Sequence, residues 1–404
     1  MATLSEQIQD MKTASQQQTS ASQALAQEVS GKMSAIDTKV DTSIQNVENT
    51  YDQKAAGLTI IATDGYKRAI EHASGGRNTV VYDAQGNPNI MVVVPRFNYE
   101  DLDLPELELG EGTPTAFMTN GVPHSEILIG KYLASTAPGG CAVIGGVQPR
   151  TSVNFDVAKG LCTAKGAGWH LLSAHEWAAI ALWSLANGTV PRGNTNYGRS
   201  HENYRETARR SDNGIPGDTA GAGRTDTGKG PETWNHDHGA WGIADLVGNV
   251  HEWNDQMKLQ DGRIIVTLDN NPEVAEANWT PQSAFFDGTT DTGGVPVLNS
   301  KVVNRHGDIG DDANAGTSIS AAWMSVDKDP SYAPSQLLRR LLIESASATD
   351  NVTGRLYVRN YGERFPLRGG LWNRGAFAGL GYLYLSRSRA YSHSGIGFRP
   401  ALFG

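Results

Sequence analysis

The residues best suited to a chemical task lie near the C-terminus, between Arg368 and Gly404. Eleven positions there follow neither a helical nor a strand period, and they mix aromatic, basic, hydroxyl and small side chains. They are Leu371, Asn373, Arg374, Phe377, Tyr384, Ser386, Arg387, Tyr391, His393, Ser394 and Gly395. Rigid aromatics with small polar neighbours are typical of binding loops, where the aromatics supply contact area and the polar groups adapt. This composition predicts non-covalent ligand binding.

A second set of residues in the same stretch would hold these positions in place. Glycines permit tight turns, and alternating apolar residues supply one face of a strand. The set comprises Gly369, Gly370, Trp372, Gly375, Leu383, Leu385, Arg389, Ile396, Gly397, Phe398 and Arg399. We therefore expect a rigid frame over residues 368–399 that presents the first set. The alternative is an ordinary C-terminal sheet edge rich in glycine and aromatic residues.

This frame resembles the variable region of target proteins of diversity-generating retroelements, which reads roughly RGG-W--G--AG---L-L---R------IGFR. In that family the open positions derive from AAC or AAT codons whose adenines are randomised, which excludes Lys, Glu, Gln, Met and Trp. All eleven open positions obey that restriction. The resemblance implies a ligand-binding face of interchangeable side chains, held by Trp372, Leu383, Leu385 and Arg389.

Three blocks in order, LLSAHEWAAIA, GNVHEW and RGGLW...SRSRA...IGFR, resemble the formylglycine-generating-enzyme-like, sulfatase-modifying-factor domain, a variant of the C-type lectin fold. The segment VVYDAQGNPNIMVVVPRF, followed by EILIGKY, resembles the first strands of phage tail versions of this domain. The family has Trp where His251 stands here, and we do not expect His251 to be catalytic. The resemblance implies a C-type-lectin-like domain over residues 124–404.

In the resembled fold the GNVxEW loop binds calcium through oxygen atoms. Carried over by position, the ligands are the side chains of Asp245 and Glu252 and the carbonyls of Gly248 and Val250. Calcium is a hard cation that takes several oxygen ligands, so a structural calcium ion is one prediction. The other is that the two carboxylates accept backbone amides or pair with an arginine of the frame.

The oxygen-dependent enzymes of the resembled family use a pair of cysteines in the C-terminal block. Here the cysteines are Cys141 and Cys162, so that chemistry lacks its thiolate; whether these two form a disulfide stays open. Iron-dependent relatives use His-rich sets, but we expect His236, Asp237 and His238 to hold a loop through hydrogen bonds. The chain is therefore predicted not to be an enzyme. A formylglycine-generating-type or iron-dependent oxidoreductase, or a purely structural tail protein, are the alternatives.

Among the elements that must position these residues, the first is the polar segment 1–57. Its apolar residues recur at spacings of three and four: Leu4, Ile8, Met11, Leu25, Val29, Met33, Ile36, Val40, Ile44, Val47 and Tyr51. This pattern predicts a parallel, three-stranded coiled coil with a polar middle that attaches the chain to a particle. A single amphipathic helix or a low-complexity tail are the alternatives.

Residues 58–123 are predicted to form a β-rich connector. Gly57 and Asp64-Gly65 are expected to end the helix, and a hairpin follows over residues 80–94. Its two runs of β-branched residues flank a turn at Ala84–Pro88.

The domain over residues 124–404 is predicted to contain both helices and strands. A helix is expected from Phe155, and Ser173 stands three residues before Glu176 in a capping-box arrangement that opens a second helix. Residues 270–354 are polar and are interpreted as an insertion. The predicted fold class is α+β: an N-terminal coiled-coil helix, a small β connector and a C-terminal C-type-lectin-like domain.

The composition limits the partners. A formal charge of −9 and a pI near 5.6 give no electrostatic basis for binding nucleic acid. The N-terminus lacks the basic and apolar regions of a secretory signal, and no apolar run approaches the ~20 residues that span a bilayer. We expect a protein that is made in the host cytoplasm without a signal peptide, does not insert into membranes, and leaves with a virion.

Together these features predict a homotrimeric phage tail-fibre or tail-tip receptor-binding protein. Its N-terminus would join phage tail or baseplate proteins, and its C-terminal heads would attach the virion to a bacterial surface receptor. Repeated heads raise the effective concentration for the next contact, so each can bind weakly. Whether the receptor is a protein or a glycan stays open.

Overall fold

The computed structural model describes residues 3–54, 59–346 and 352–403. Its Cα positions divide into two compact units, Met1–Tyr66 and Lys67–Gly404. The larger unit combines helices with extensive sheets, and the smaller one is helical. The predicted α+β class is therefore confirmed.

The helices are α1 (Leu4–Lys54), α2 (Thr59–Ser74), α3 (Phe155–Thr163), α4 (Ala174–Ala186) and α5 (Gln336–Arg340). The strands are β1 (Asn78–Tyr82), β2 (Pro88–Pro95), β3 (Met118–Thr119), β4 (Val122–Pro123), β5 (Glu126–Gly130), β6 (Ser135–Ala137), β7 (Gly140–Ala142), β8 (Trp169–Leu171), β9 (His251–Trp253), β10 (Met257–Gln260), β11 (Arg263–Val266), β12 (Thr280–Thr290), β13 (Gly293–Asn299), β14 (Ile319–Ala322), β15 (Asp327–Lys328), β16 (Arg355–Val358), β17 (Glu363–Gly369), β18 (Gly379–Arg387), β19 (Ile396–Phe398) and β20 (Pro400–Phe403).

Helix α1 confirms the predicted N-terminal helix. It begins with a reciprocal cap, in which the Thr3 amide donates to Glu6 (2.7 Å) and the Glu6 amide donates to the Thr3 hydroxyl (3.4 Å). All predicted seam residues from Leu4 to Val47 are exposed within the single chain. Tyr51 lies outside the residues whose side chains are described. Because water contacts the apolar stripe, it is available for burial against other helices.

The prediction that Asp64-Gly65 ends the helical region is wrong, and Gly57 lies outside the described residues. Helix α2 continues through both positions to Ser74. It stops where Gly75 and Gly76 adopt φ of 62° and 81°, and the Gly76 amide donates to the Glu71 carbonyl (2.8 Å). A left-handed glycine pair terminates a helix, whereas a single interior glycine costs only about 1 kcal/mol.

A five-stranded sheet in the larger unit has the order β1-β2-β5-β20-β8. The antiparallel pair β1–β2 confirms the predicted hairpin. Strand β5 pairs with β2 on one side and with the C-terminal strand β20 on the other. The predicted boundary at residue 123 therefore falls inside one compact unit, because the hairpin shares this sheet with the end of the chain.

The larger sheet has the order β14-β16-β18-β17-β10-β11-β12-β13-β15. Off this path, β9 pairs with β17, and β19 pairs with β9. Residues 270–354, interpreted from the sequence as an insertion, supply β12 to β15 and helix α5. Phe286 and Leu298 from this segment are fully buried in the same core cluster as Leu383 and Leu385 of β18. The segment thus completes the main hydrophobic core.

Helices α3 and α4 begin as the sequence predicts. The Asn154 side chain caps α3 by accepting the Val157 amide (2.9 Å). Ser173 and Glu176 form both hydrogen bonds of the capping box of α4. From α4, the Trp177 indole donates to the Leu380 carbonyl (3.0 Å), which ties the helix to β18.

Among the described residues, no helix is both long and apolar enough to cross a bilayer.

Candidate functional site

The candidate site is built on one face of β18, where alternate side chains point in opposite directions. Leu383 and Leu385 point into the main core and are fully buried. Tyr382 and Tyr384 lie on the other face, with parallel rings (interplanar angle 4°) whose centroids are 6.4 Å apart. The sheet core therefore fixes the backbone from which these tyrosines project.

Neighbouring elements add rings to this face. Tyr357 of β16 lies 5.1 Å from Tyr384 and 5.8 Å from Tyr382, measured between ring centroids. Strand β16 runs parallel to β18 with Tyr357 opposite Tyr384. His251 of β9 stacks on Tyr382 and Tyr384 at 5.2 and 5.9 Å. These rings form a continuous aromatic patch across three strands.

Arginine side chains extend the patch in both directions. The guanidinium of Arg387 lies over the Tyr391 ring at 4.0 Å and over the Tyr384 ring at 5.6 Å. Arg355 lies over Phe377 at 4.8 Å and over Tyr357 at 5.8 Å. Stacked guanidinium groups stabilise exposed aromatic faces and keep their own donors accessible.

We call this surface the binding face. In order of contact it consists of Phe377, Arg355, Tyr357, Tyr384, Arg387, Tyr391 and His393, together with Arg374, which lies against Tyr382. Phe377 and His393 are exposed, and the other members are partly exposed. Asn373 and Ser394, also predicted from the sequence, are exposed beside Arg374 and His393 in the chain.

Three of the eleven predicted binding positions are not on this surface: Leu371, Ser386 and Gly395 are buried. The Ser386 hydroxyl lies 2.7 Å from that of Ser318, in the segment interpreted as an insertion. Leu371 packs in a small apolar cluster with Val250. A Cβ added at Gly395 would lie 2.6 Å from Leu371 Cδ1. These positions are limited by packing, which a sequence pattern without three-dimensional neighbours does not reveal.

Two members of the binding face were missed by the sequence analysis. Arg355 and Tyr357 lie outside the C-terminal motif, and β16 reaches the face through pairing with β18. His251, which the sequence analysis considered only as a residue that is not catalytic, stacks against Tyr384. A usable signal was the alternation of polar and apolar residues in RLYV, which predicts a strand with Arg355 and Tyr357 on the same face.

The binding face is electropositive. Arg355 donates to the Ser320 hydroxyl (3.0 Å) and Arg387 to the Asn314 carbonyl (2.7 Å), and neither acceptor carries a charge. The pKa of His251 lies well below its usual value, first because the ring is buried and then because nearby cations oppose its protonation. His251 is therefore a neutral ring in this setting.

Tight backbone contacts hold the face on its frame. Gly248 and Gly369 adopt φ of 73° and 80°, and the Gly248 amide donates to the Gly369 carbonyl (3.0 Å). A Cβ on Gly369 would overlap the carbonyl oxygen of Leu246. The Trp372 amide donates to the Asn249 carbonyl (3.1 Å). The GNV and RGG segments thus meet directly, and the glycines are required by this close approach.

The carboxylates of Asp245 and Glu252, the two side chains of the predicted calcium site, are paired with groups of the protein itself. Arg399 donates to both oxygens of Glu252 (2.8 and 2.9 Å), and both side chains are buried. Asp245 accepts the Gly228 amide (2.7 Å), and burial raises the pKa of Asp245 to about 6. A guanidinium occupies the Glu252 oxygens that a cation would need, so this residue set does not fit calcium. The contacts match the alternative prediction, pairing with an arginine of the frame and a backbone amide.

The histidines and cysteines considered as catalytic candidates make structural contacts in this fold. His236 Nδ1 accepts the Ile243 amide (2.8 Å), and the His238 ring lies 3.1 Å from the Val190 carbonyl, so both histidines hold loops as expected. Cys141 and Cys162 are free, buried thiols whose pKa values are raised by burial. No cluster of three metal-binding side chains of the His, Cys, Asp or Glu type occurs among the described residues.

Comparisons with known proteins give limited information. No family model and no curated protein matches the sequence. Among solved structures, Treponema denticola variable protein 1 is similar with 13% sequence identity and a TM-score of 0.35, over 81% of this chain and 99% of that chain. A TM-score this low does not establish a common fold, so this similarity does not assign the chain to a family.

Proposed function

We propose that this chain is a phage tail-fibre or tail-tip receptor-binding protein that attaches the virion to a bacterial surface receptor. The observation that carries this proposal is the binding face. Exposed or partly exposed residues of the C-terminal open set form one connected surface of tyrosines and arginines on a sheet. Tyrosine and arginine are enriched where binding energy concentrates.

The geometry beneath the face supports binding. Leu383 and Leu385 anchor β18 in the core, and the Trp177 indole fixes its backbone at Leu380. A surface held by a packed sheet loses little conformational entropy when it meets a ligand. Side chains on such a frame can be exchanged while the backbone stays in place, as the resemblance to retroelement targets implies.

We further propose that residues 124–404 form a C-type-lectin-like domain. The buried Arg399–Glu252 pair links IGFR to GNVHEW, and the Gly248–Gly369 contact links GNVHEW to RGG. Two of the three sequence blocks that carry the resemblance, GNVHEW and the C-terminal block, therefore meet through buried contacts. Their shared role is to support the binding face rather than to perform a reaction.

Helix α1 would assemble three copies of the chain and join the tail. Ten apolar side chains along it are exposed in the single chain, and a parallel coiled coil would bury them. Three heads on each fibre, with several fibres on a virion, would raise the effective receptor concentration after the first contact. Modest affinity at each binding face would then suffice for adsorption.

Alanine substitution of the partly exposed cluster tests the proposal. Virions that carry Tyr384→Ala, Arg387→Ala and Tyr391→Ala should adsorb to their host at least tenfold more slowly, because the face loses its central rings and charge. Circular dichroism of the purified triple variant should still show a cooperative melting transition at a modestly lowered temperature, because Tyr384 and Tyr391 are partly buried against the edge of a core cluster.

The matched control replaces exposed side chains elsewhere in the same unit, with Arg96→Ala, Arg263→Ala and Leu268→Ala. These changes should leave adsorption unaltered. Normal adsorption of the Tyr384, Arg387 and Tyr391 triple variant, at wild-type particle assembly, would show that the binding face does not contact the receptor.

A further inference from the structure

We infer that the receptor presents a phosphate or carboxylate group, carried on a polysaccharide, to the binding face. This inference deepens the proposed function and rests on it, because it names the class of ligand for the same surface. Two observations carry it: the charge of the face and its shortage of exposed apolar side chains.

The charge of the face is concentrated and is not neutralised by its own contacts. Arg355, Arg374 and Arg387 converge on the tyrosine patch, although the whole chain has a formal charge of −9. Their observed acceptors are a serine hydroxyl and a main-chain carbonyl for Arg355 and Arg387. Guanidinium groups bind phosphate and carboxylate with strong, often paired hydrogen bonds.

The side chains of the face favour a polysaccharide over a protein surface. Phe377 is the one purely hydrocarbon side chain in the binding face, so the face offers aromatic ring surfaces and hydrogen-bond donors and no aliphatic patch. The remaining members end in hydroxyl, guanidinium or imidazole groups. Tyrosine faces pack against the C–H groups of sugar rings, while their hydroxyl groups and the arginines bond to polar substituents.

Direct binding to defined polymers tests the inference. Full-length chain is measured by biolayer interferometry on immobilised dextran phosphate, carboxymethyl-dextran and unmodified dextran. We expect binding to an anionic polymer that is at least tenfold tighter than to unmodified dextran and weakens as salt rises. The two anionic arms show whether phosphate or carboxylate is preferred.

The Arg374→Gln/Arg387→Gln variant should bind the preferred anionic polymer at least tenfold more weakly. The control, Arg96→Gln/Arg263→Gln, removes the same charge from exposed arginines elsewhere and should bind as the wild type does. Equal binding to all three polymers, or equal loss in both double variants, would overturn the inference.

Adsorption assays separate this inference from the proposed function. If virion adsorption requires Tyr384 and Arg387 but resists excess anionic dextran and is abolished by protease treatment of the host, the receptor is a protein. That result overturns the anionic-polysaccharide inference and leaves receptor binding intact. If neither these residues nor the polymers affect adsorption, the proposed function itself is wrong.

Discussion

Replacing Arg399 tests how the frame is held together. Its guanidinium donates to both Glu252 oxygens and to the carbonyls of Gly130 (2.9 Å), Lys131 (3.2 Å) and Ala244 (2.8 Å). The side chain is fully buried. Arg399→Met would keep most of the hydrocarbon volume but remove every one of these hydrogen bonds. Glu252 would then be a buried carboxylate with no partner.

Breaking a buried ion pair by removing one partner costs about 3–5 kcal/mol. We expect Arg399→Met to lose free energy of unfolding in that range at pH 7. The loss should be smaller at pH 5, because burial already raises the pKa of Glu252 and the unpaired carboxyl would take up a proton. Glu252→Gln combined with Arg399→Met should cost less than the sum of the single changes by about 1–3 kcal/mol.

Urea unfolding of the full chain, followed by tryptophan fluorescence, measures these free energies. The wild-type unfolding curve should be the same in EDTA and in millimolar calcium, since Arg399 occupies the Glu252 oxygens. A loss below about 1 kcal/mol for Arg399→Met would refute the role assigned to the pair. A large stabilisation of the wild type by calcium would refute the conclusion that the residue set does not fit this ion.

Three further predictions follow from other parts of the molecule. Burial raises the pKa of Asp245 from 3.8 to about 6. The folded state thus binds the proton more tightly, and the free energy of unfolding falls by about 2 kcal/mol as pH rises from 4 to 6. Asp245→Asn should remove that fall in urea titrations, and an unchanged pH profile would contradict this assignment. Gly369→Ala should lower the free energy of unfolding by about 1–3 kcal/mol, because alanine disfavours the positive φ and its Cβ would clash with the Leu246 carbonyl. A urea midpoint equal to that of the wild type would contradict this close approach. Ile36→Asn/Val40→Asn should convert the proposed trimer to monomer in sedimentation velocity, because both side chains lie on the exposed stripe of α1; a monomeric wild type would exclude the coiled coil.

Local patterns in the sequence were enough to predict several elements. The Ser173–Glu176 capping box opens α4, and the β1–β2 hairpin flanks the expected turn. The apolar spacing in residues 4–47 predicted the long helix α1. These features depend on interactions between residues close in the chain, such as caps, turns and side-chain periodicity, so their physical causes are visible in the sequence.

The frame of the C-terminal stretch was also readable from the sequence. Leu383 and Leu385 are buried at alternate positions of β18, as a strand with one core face requires. The partner of Glu252 was not readable, because Arg399 reaches it across 147 residues of chain. The motif identified both residues and left open whether a cation or a guanidinium neutralises the carboxylate.

Only the tertiary structure decided which open positions reach the surface. Ser386 and Tyr384 occupy the same face of β18, yet Ser386 is covered by contact with Ser318 and Tyr384 is accessible. Likewise, the parallel pairing of β16 with β18 brings Arg355 and Tyr357 onto the binding face. Strand pairing and burial depend on residues far apart in the chain. The sequence of this protein by itself determines which faces of its elements are apolar, while long-range packing decides which neighbours those faces acquire.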